Sequence, residues 1–195
     1  MASGSQVLEE FEEWVKQQQL LHIVSGLTGG WEKWAQYDFI GYLLHTTPAL
    51  TIVPEDLPFA NLPSGAKNMK KNDFSIHPYG GSPGACVEFK VLLPGSETVA
   101  GYFGRLRGDF EKLRDNALET PRLATLNKVV LGLAPTDKLL AHAKALASQD
   151  GQNPNLVTLL NFTDKLRAKY PPFFHERATS AGNMDFTLSF FNNFH

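Results

Sequence analysis

Two acidic residues and one lysine lie in two neighbouring apolar runs of this 195-residue chain. Glu88 and Lys90 belong to the run 85–93, and Asp73 begins the shorter run 73–77. Side chains of a β-strand point alternately to its two faces, so Glu88 and Lys90 are expected on one face and their apolar neighbours on the other. The same alternation separates Asp73 from the apolar residues that follow it. Each run is therefore predicted to be a strand with one polar and one apolar face.

The residues between the two runs indicate how the strands pair. This segment is dense in Gly, Pro and Ser, which are typical of turns. If the runs form a hairpin centred on Gly80 and Gly81, Asp73 lies opposite Glu88. A shift of one residue would move Asp73 to the wrong face, because side chains in a strand repeat every second residue. The centred register predicts two carboxylates and one ammonium group together on the polar face.

That combination of groups is suited to the hydrolysis of a phosphodiester. Two adjacent carboxylates repel each other unless a cation joins them, and Mg²⁺ is often held by one or two carboxylates together with water and phosphate oxygens. A metal in that position polarises a phosphoryl oxygen and supplies a hydroxide-like nucleophile. Lys90 would orient the attacking water or neutralise charge that develops on the phosphate. The pattern predicts Asp73 and Glu88 as metal ligands and catalytic residues, with Lys90 as the third catalytic residue.

These residues resemble a known superfamily. Asn72-Asp73, followed by Glu88-x-Lys90 in the next strand, resembles the PD-(D/E)XK signature of the restriction-endonuclease-like nucleases, with Asn72 in place of the usual proline. The resemblance covers about residues 31–148 and holds at the level of the superfamily. It implies a metal-dependent nuclease, with DNA favoured as the substrate, endonucleolytic cleavage and Mg²⁺ as the cofactor, for which Mn²⁺ can substitute.

The predicted order of elements agrees with that resemblance. Apolar spacing predicts helices over 6–20, 31–44 and 99–117, strands over 49–53 and 126–133 beside the two motif strands, and a helix that Thr136 and Asp137 begin and that runs through Ala147. Helix, strand, strand, strand, helix, strand is similar to the core of the restriction-endonuclease-like fold. A strand–helix–strand unit also implies a right-handed crossover. The expected fold class is α/β, a mixed β-sheet flanked by helices.

The chain is expected to form a single domain over residues 6–195. Residues 1–5 are predicted to be a vector-derived remnant or a disordered start. Residues 31–148 would form the nuclease-like core, and residues 149–195 would form a C-terminal extension. The extension is predicted to contain an appended helix over 155–170 and a C-terminal β-hairpin.

Several further residues are candidates for the site. Members of the superfamily often place an additional acidic residue on the helix before the sheet, for which Glu32 and Asp38 are candidates and Gln36 a neutral one. Solvated charges on a helix explain the two acidic residues equally well. Glu55, in a predicted turn, is a weaker candidate. His77 shares a face with the strand aspartate and either borders the site or is an ordinary hydrogen-bonded strand histidine.

Two residues of the helix predicted over 99–117 also have alternative interpretations. Asp109 and Lys112 lie where many relatives carry polar residues beside the site. Their spacing of three is also that of an ion pair on a helix surface.

Charge is the main observation against a nuclease. Proteins that bind nucleic acid neutralise phosphates and are usually basic, whereas this chain has a formal charge of −2. Local basic groups are nevertheless candidates for contacts to nucleic acid: Lys67, Lys70, Lys71, Arg105 and Arg107. The near-neutral charge favours an alternative function, a non-catalytic protein of the same fold that acts as a binding or inhibitory partner.

The remaining observations bound the class of protein. No apolar run approaches the length that spans a membrane, so no membrane association is expected. The single cysteine, Cys86, excludes an internal disulfide and suits a reducing compartment, so a cytoplasmic location is predicted. The histidines are scattered along the sequence, which argues against a zinc site. Homodimerisation or membership of a larger assembly is left open.

Overall fold

The computed structural model describes residues 4–26, 30–54, 72–78, 84–93, 95, 97–117, 125–156, 164 and 174–192. Within them the helices are α1 (Gly4–Gln17), α2 (Leu21–Val24), α3 (Trp31–Thr46), α4 (Val99–Ala117) and α5 (Thr136–Gln149), with a 3₁₀ turn at Pro154–Leu156. The strands are β1 (Leu50–Pro54), β2 (Phe74–Pro78), β3 (Ala85–Val91), β4 (Asn127–Pro135), β5 (Phe174–Ala181) and β6 (Met184–Asn192). No helix among these residues is both long enough and apolar enough to cross a bilayer.

The strands form one mixed sheet, which confirms the predicted α/β class. The strand order is β1-β2-β3-β4-β6-β5. Only the β3–β4 pair is parallel, and α4 provides the crossover between these two strands. Helices cover both faces of the sheet, because the strands carry buried apolar side chains on each face.

Strand pairing between β2 and β3 has the predicted register. Phe74 lies opposite Val87, and Ile76 lies opposite Ala85. The same register sets position 73, directly before β2, opposite Glu88. β3 continues beyond this point to Val91, and on the side that faces β2 no strand of the described residues lies beside its last part.

The two faces of the sheet have different partners. Val87, Phe89 and Val91 pack in a core with α1 and α3, where Phe89 contacts the rings of Phe11 and Trp14. The alternate residues of β3 face α4 and α5, where Cys86 packs with apolar residues of both helices. Glu88 and Lys90 therefore lie on the α4 side of the sheet, opposite the face that packs in the aromatic core.

Close packing of α4 on the sheet depends on a glycine. A β-carbon at Gly132 of β4 would overlap the Tyr102 hydroxyl and press on both terminal methyl groups of Leu106. The absent side chain lets α4 approach the strands. This approach brings the polar residues of the next helical turns onto the face that carries Glu88 and Lys90.

The C-terminal hairpin is part of the sheet, whereas an appended position was predicted. β6 pairs with β4 from Val129–Asn192 to Pro135–Phe186, and Leu188 is fully buried. The apolar side chains that alternate along β6 must be buried, and pairing with the free edge of β4 lets them join the core of the sheet. The helix predicted over 155–170 lies outside the described residues, apart from the 3₁₀ turn and residue 164. The first helix begins at Gly4, within the segment predicted to be a disordered start.

Candidate functional site

Ionised side chains from both helical layers and the sheet form one connected group at the open edge of β3. We call this group the charged cluster, and its members are joined by ion pairs: Glu32, Asp73, Glu88, Lys90, Glu97, Arg105, Asp109 and Lys112. The three catalytic residues predicted from sequence are all members. The cluster also contains Glu32, one of the additional candidates, and Asp109 and Lys112 from α4.

Lys90 lies at the centre of the charged cluster. Its Nζ atom is 3.2 Å from Asp109 Oδ2, 3.3 Å from Asp73 Oδ2, 3.7 Å from Glu88 Oε2 and 3.9 Å from Glu32 Oε1. Burial alone would lower the pKa of Lys90, but the surrounding carboxylates, Asp73 first among them, outweigh burial and raise it above its ordinary value. In these surroundings the side chain is a cation at physiological pH.

Glu88 is the most buried member of the cluster, with 2% of the residue exposed. Its Oε1 contacts the ammonium of Lys112, and its Oε2 faces Lys90. Burial raises the pKa of Glu88 to about 7; Lys112 opposes this rise, and Asp73 and Asp109 add to it. Because a nearby positive charge favours the ionised carboxylate, a bound cation would lower this pKa again.

Asp109 and Lys112 project from α4 into the charged cluster, so the ion pair that their spacing predicts does form, but it is largely buried and not at the surface. Asp109 Oδ1 lies 3.3 Å from Lys112 Nζ, and the two side chains are only 18% and 17% exposed. Each also contacts a motif residue of β3. The signal in the sequence is a polar pair on one face of a predicted helix. That this face points toward the sheet could be identified only once the packing of α4 was known.

Two carboxylates take the place of a neighbouring strand along the open edge of β3. The Phe89 amide donates to Asp73 Oδ2 at 2.8 Å, and the Val91 amide donates to Glu32 Oε2 at 3.2 Å. A buried amide without an acceptor is costly, so these contacts hold both carboxylates in place. Glu32 reaches this edge from the first turn of α3. The helix begins directly after Gly30, whose φ of 81° lies in the left-handed region that glycine adopts without strain.

Arg105, predicted as a contact to nucleic acid, is engaged within the charged cluster. Its guanidinium donates to Glu32 Oε2 at 2.8 Å, to both carboxylate oxygens of Glu97 at 2.7 Å and to the Val91 carbonyl at 2.7 Å. Burial would lower its pKa, but the hydrogen bonds that it donates to Glu97 and Glu32 raise its pKa above the ordinary value. Arg105 thus links α3, β3 and α4 around the site.

The other predicted residues lie elsewhere. Gln36 is buried on α3, and its Oε1 accepts a hydrogen bond from Lys33 at 3.0 Å. His77 lies in the far half of β2, opposite Thr51 of β1.

Two further candidates have local partners. Asp38 accepts a hydrogen bond from the Trp14 indole at 2.8 Å, so it ties α3 to α1. Arg107 is exposed and pairs with Glu111 one turn along α4. Lys67, Lys70, Lys71 and Glu55 lie outside the described residues.

The donor set of the charged cluster fits a hard divalent cation. Asp73, Glu88 and Asp109 bring carboxylate oxygens to one place, where the ammonium groups of Lys90 and Lys112 are their charged partners. No group of three or more His, Cys, Asp or Glu side chains in the described part of the chain could hold a metal ion. Mg²⁺ does not require three, since it often binds one or two carboxylates and keeps several waters.

The charge of the cluster also suits one such ion. With all groups ionised, five carboxylates face three cations, which leaves a formal charge of −2. One divalent cation would neutralise it.

Comparison of the chain with protein-family models, with curated proteins and with solved structures finds no match. The function is therefore inferred from the geometry and chemistry of the charged cluster.

Proposed function

We propose that this protein is a metal-dependent nuclease of the PD-(D/E)XK type, which hydrolyses phosphodiester bonds and favours DNA as an endonuclease substrate. The observation that carries the proposal is the convergence of Asp73 and Glu88 on the ammonium of Lys90, at 3.3 and 3.7 Å. Concentrated negative charge is costly in a half-buried position, and a catalytic metal site is a reason for a protein to maintain it.

In this proposal Asp73 and Glu88 hold Mg²⁺, for which Mn²⁺ can substitute. When bound, the ion polarises a phosphoryl oxygen and makes a bound water more acidic. The chain itself provides the other parts of the reaction. Lys90, which stays protonated, donates to a phosphate oxygen or to the attacking water and stabilises the charge that develops in the transition state.

The surroundings of the three residues support this function. Phe89 lies between Glu88 and Lys90, and its ring packs against Phe11, Trp14 and Phe39 on the opposite face. This packing fixes β3, so that both catalytic side chains are held in place before substrate binds. The element order α3-β1-β2-β3-α4-β4 is also the one expected for a restriction-endonuclease-like core, which supports the proposal by analogy of fold.

A second function is favoured by a different observation. Each carboxylate of the charged cluster already contacts a lysine or arginine, and the chain as a whole carries a formal charge of −2. A cluster that only seals the open edge of β3 would have the same contacts. The protein would then be a non-catalytic binding or inhibitory partner with the same kind of fold.

Cleavage assays distinguish the two functions. Supercoiled plasmid, single-stranded DNA and single-stranded RNA are each incubated with the protein in Mg²⁺, Mn²⁺ or EDTA. The test variants are Asp73→Asn and Lys90→Met, and the matched control is Lys138→Met, an exposed lysine on α5 that pairs with Asp137.

The nuclease proposal expects metal-dependent cleavage by the wild type and the control, and its loss in both test variants while their circular dichroism is unchanged. Cleavage that survives both substitutions, or the absence of cleavage on every substrate, would favour the binding partner.

A further inference from the structure

Resting on the proposed nuclease function, we propose that Lys112 is a second catalytic cation, supplied by α4. In this proposal the charged cluster takes one divalent ion per chain. The ammonium of Lys112 contacts the scissile phosphate where other phosphodiesterases place a second metal ion.

The first argument is the arrangement of Lys90 and Lys112 around two shared carboxylates. Glu88 faces Lys112 with Oε1 and Lys90 with Oε2, and Asp109 faces Lys112 with Oδ1 and Lys90 with Oδ2. The four groups thus form a ring of alternating charge. Two-metal sites also place two cations a few ångströms apart between shared oxygen ligands.

The second argument is that a metal ion competes with only one of these ammonium groups. Lys90 faces Asp73 Oδ2 and Glu88 Oε2, so a cation bound to these two oxygens would compete with its ammonium group. Lys112 approaches Glu88 through the other oxygen, Oε1. Metal binding therefore displaces or redirects Lys90, whereas Lys112 can keep its contacts with Glu88 and Asp109.

The third argument is the charge balance. One divalent ion neutralises the formal charge of −2 on the cluster, whereas a second would leave an excess of two positive charges beside Glu88, of which only 2% is exposed. Uncompensated charge in such a place is strongly unfavourable. Lys112 already supplies the positive charge that a second metal ion would bring to the phosphate.

Lys112 acts by charge and hydrogen bonding in this proposal and exchanges no proton. The water oxygen forms its bond to phosphorus as the bond from phosphorus to the leaving oxygen breaks; the attacking water gives up a proton to bulk water, and the leaving oxygen takes up a proton from bulk water. Lys112 donates to a non-bridging phosphoryl oxygen, where negative charge increases in the transition state. A side chain that is 17% exposed can reach a ligand without leaving the cluster.

The test combines calorimetric titration with Mn²⁺ and with Ca²⁺ and the cleavage assay, on the wild type, Lys112→Met, Lys112→Arg and Lys138→Met. We expect one ion per wild-type chain. Lys112→Met should bind metal roughly tenfold more tightly, because a neighbouring positive charge is gone, yet cleave about 100-fold more slowly. Lys112→Arg should recover part of the cleavage, and Lys138→Met should match the wild type in both measurements.

Opposite changes in metal affinity and cleavage would not follow from a structural role, which predicts that both decline together. Two ions per wild-type chain, or a Lys112→Met protein that cleaves normally, would overturn the role of Lys112 while leaving the nuclease proposal intact. Wild-type protein that neither binds metal nor cleaves would overturn the nuclease proposal and this one with it. If Lys112→Met does not fold, Lys112→Gln replaces it, and the wild-type stoichiometry remains decisive.

Discussion

Glu88 of β3 and Asp109 of α4 share the same two ammonium groups, those of Lys90 and Lys112, although the two carboxylates come from different layers of the fold. This relationship joins a strand motif to the crossover helix that follows it. It also means that Asp109 contributes to the raised pKa of Glu88 and to the raised pKa of Lys90.

Asp73 has both a structural and a proposed catalytic role, and two substitutions separate them. Asp73→Asn keeps an oxygen for the Phe89 amide but removes the charge, so we expect near-normal stability with at least a 100-fold loss of cleavage. Asp73→Ala also removes the acceptor at 2.8 Å and should destabilise the fold by about 1–3 kcal/mol. Urea denaturation and the plasmid assay measure the two effects. Equal stability of the two variants would contradict the structural role.

Lys90 should be needed for stability mainly when no metal is present. Lys90→Met removes the cation shared by four carboxylates, and breaking a buried ion pair costs about 3 kcal/mol or more. Ca²⁺ should restore much of this stability, because it supplies a positive charge to the same oxygens.

Urea denaturation in EDTA and in Ca²⁺ measures this effect. We expect a larger stabilisation by Ca²⁺ in the variant than in the wild type. A variant that Ca²⁺ does not stabilise would indicate that the carboxylates do not bind metal.

The raised pKa of Glu88 predicts an unusual dependence of stability on pH in the absence of metal. Its pKa is raised from 4.5 to about 7, so between these values the folded protein retains a proton that the unfolded chain has lost. Stability should therefore fall by a few kcal/mol at most as the pH rises from about 4.5 to 7, and it should level off above pH 7.

Denaturation of wild type and Glu88→Gln in EDTA across pH 5–8 measures this contribution, which should be absent from the variant. Metal binding near pH 7 should also release protons, which calorimetry in buffers of different ionisation enthalpy detects. The same pH slope in both proteins would contradict the assignment to Glu88.

Arg105 and Arg107 on α4 were predicted to have similar roles, but the structure separates them. Arg105→Met removes hydrogen bonds to Glu32, Glu97 and the Val91 carbonyl, and we expect a loss of about 2 kcal/mol or more. Arg107→Met removes an exposed pair with Glu111 and should change stability by less than about 0.5 kcal/mol. Urea denaturation provides the comparison, and similar losses in the two variants would contradict the bridging role of Arg105.

The sequence by itself determined the local part of the site. Alternation in a strand places Glu88 and Lys90 on one face, and the predicted centring of the hairpin on positions 80 and 81 sets Asp73 opposite Glu88. Both inferences depend on residues close together in the chain, where strand geometry and turn composition leave few choices. The observed pairing of Phe74 with Val87 confirms that register.

Only the tertiary structure decided what surrounds that motif. Asp109 and Lys112 enter the site because α4 crosses β3, and Arg105 is directed inward because Glu32 reaches the same edge from α3. The C-terminal hairpin extends the sheet beyond β4, because the edge of β4 was free to pair with it. These contacts join residues far apart in the chain. They follow from the way helices and strands bury their apolar faces together, which no local pattern encodes.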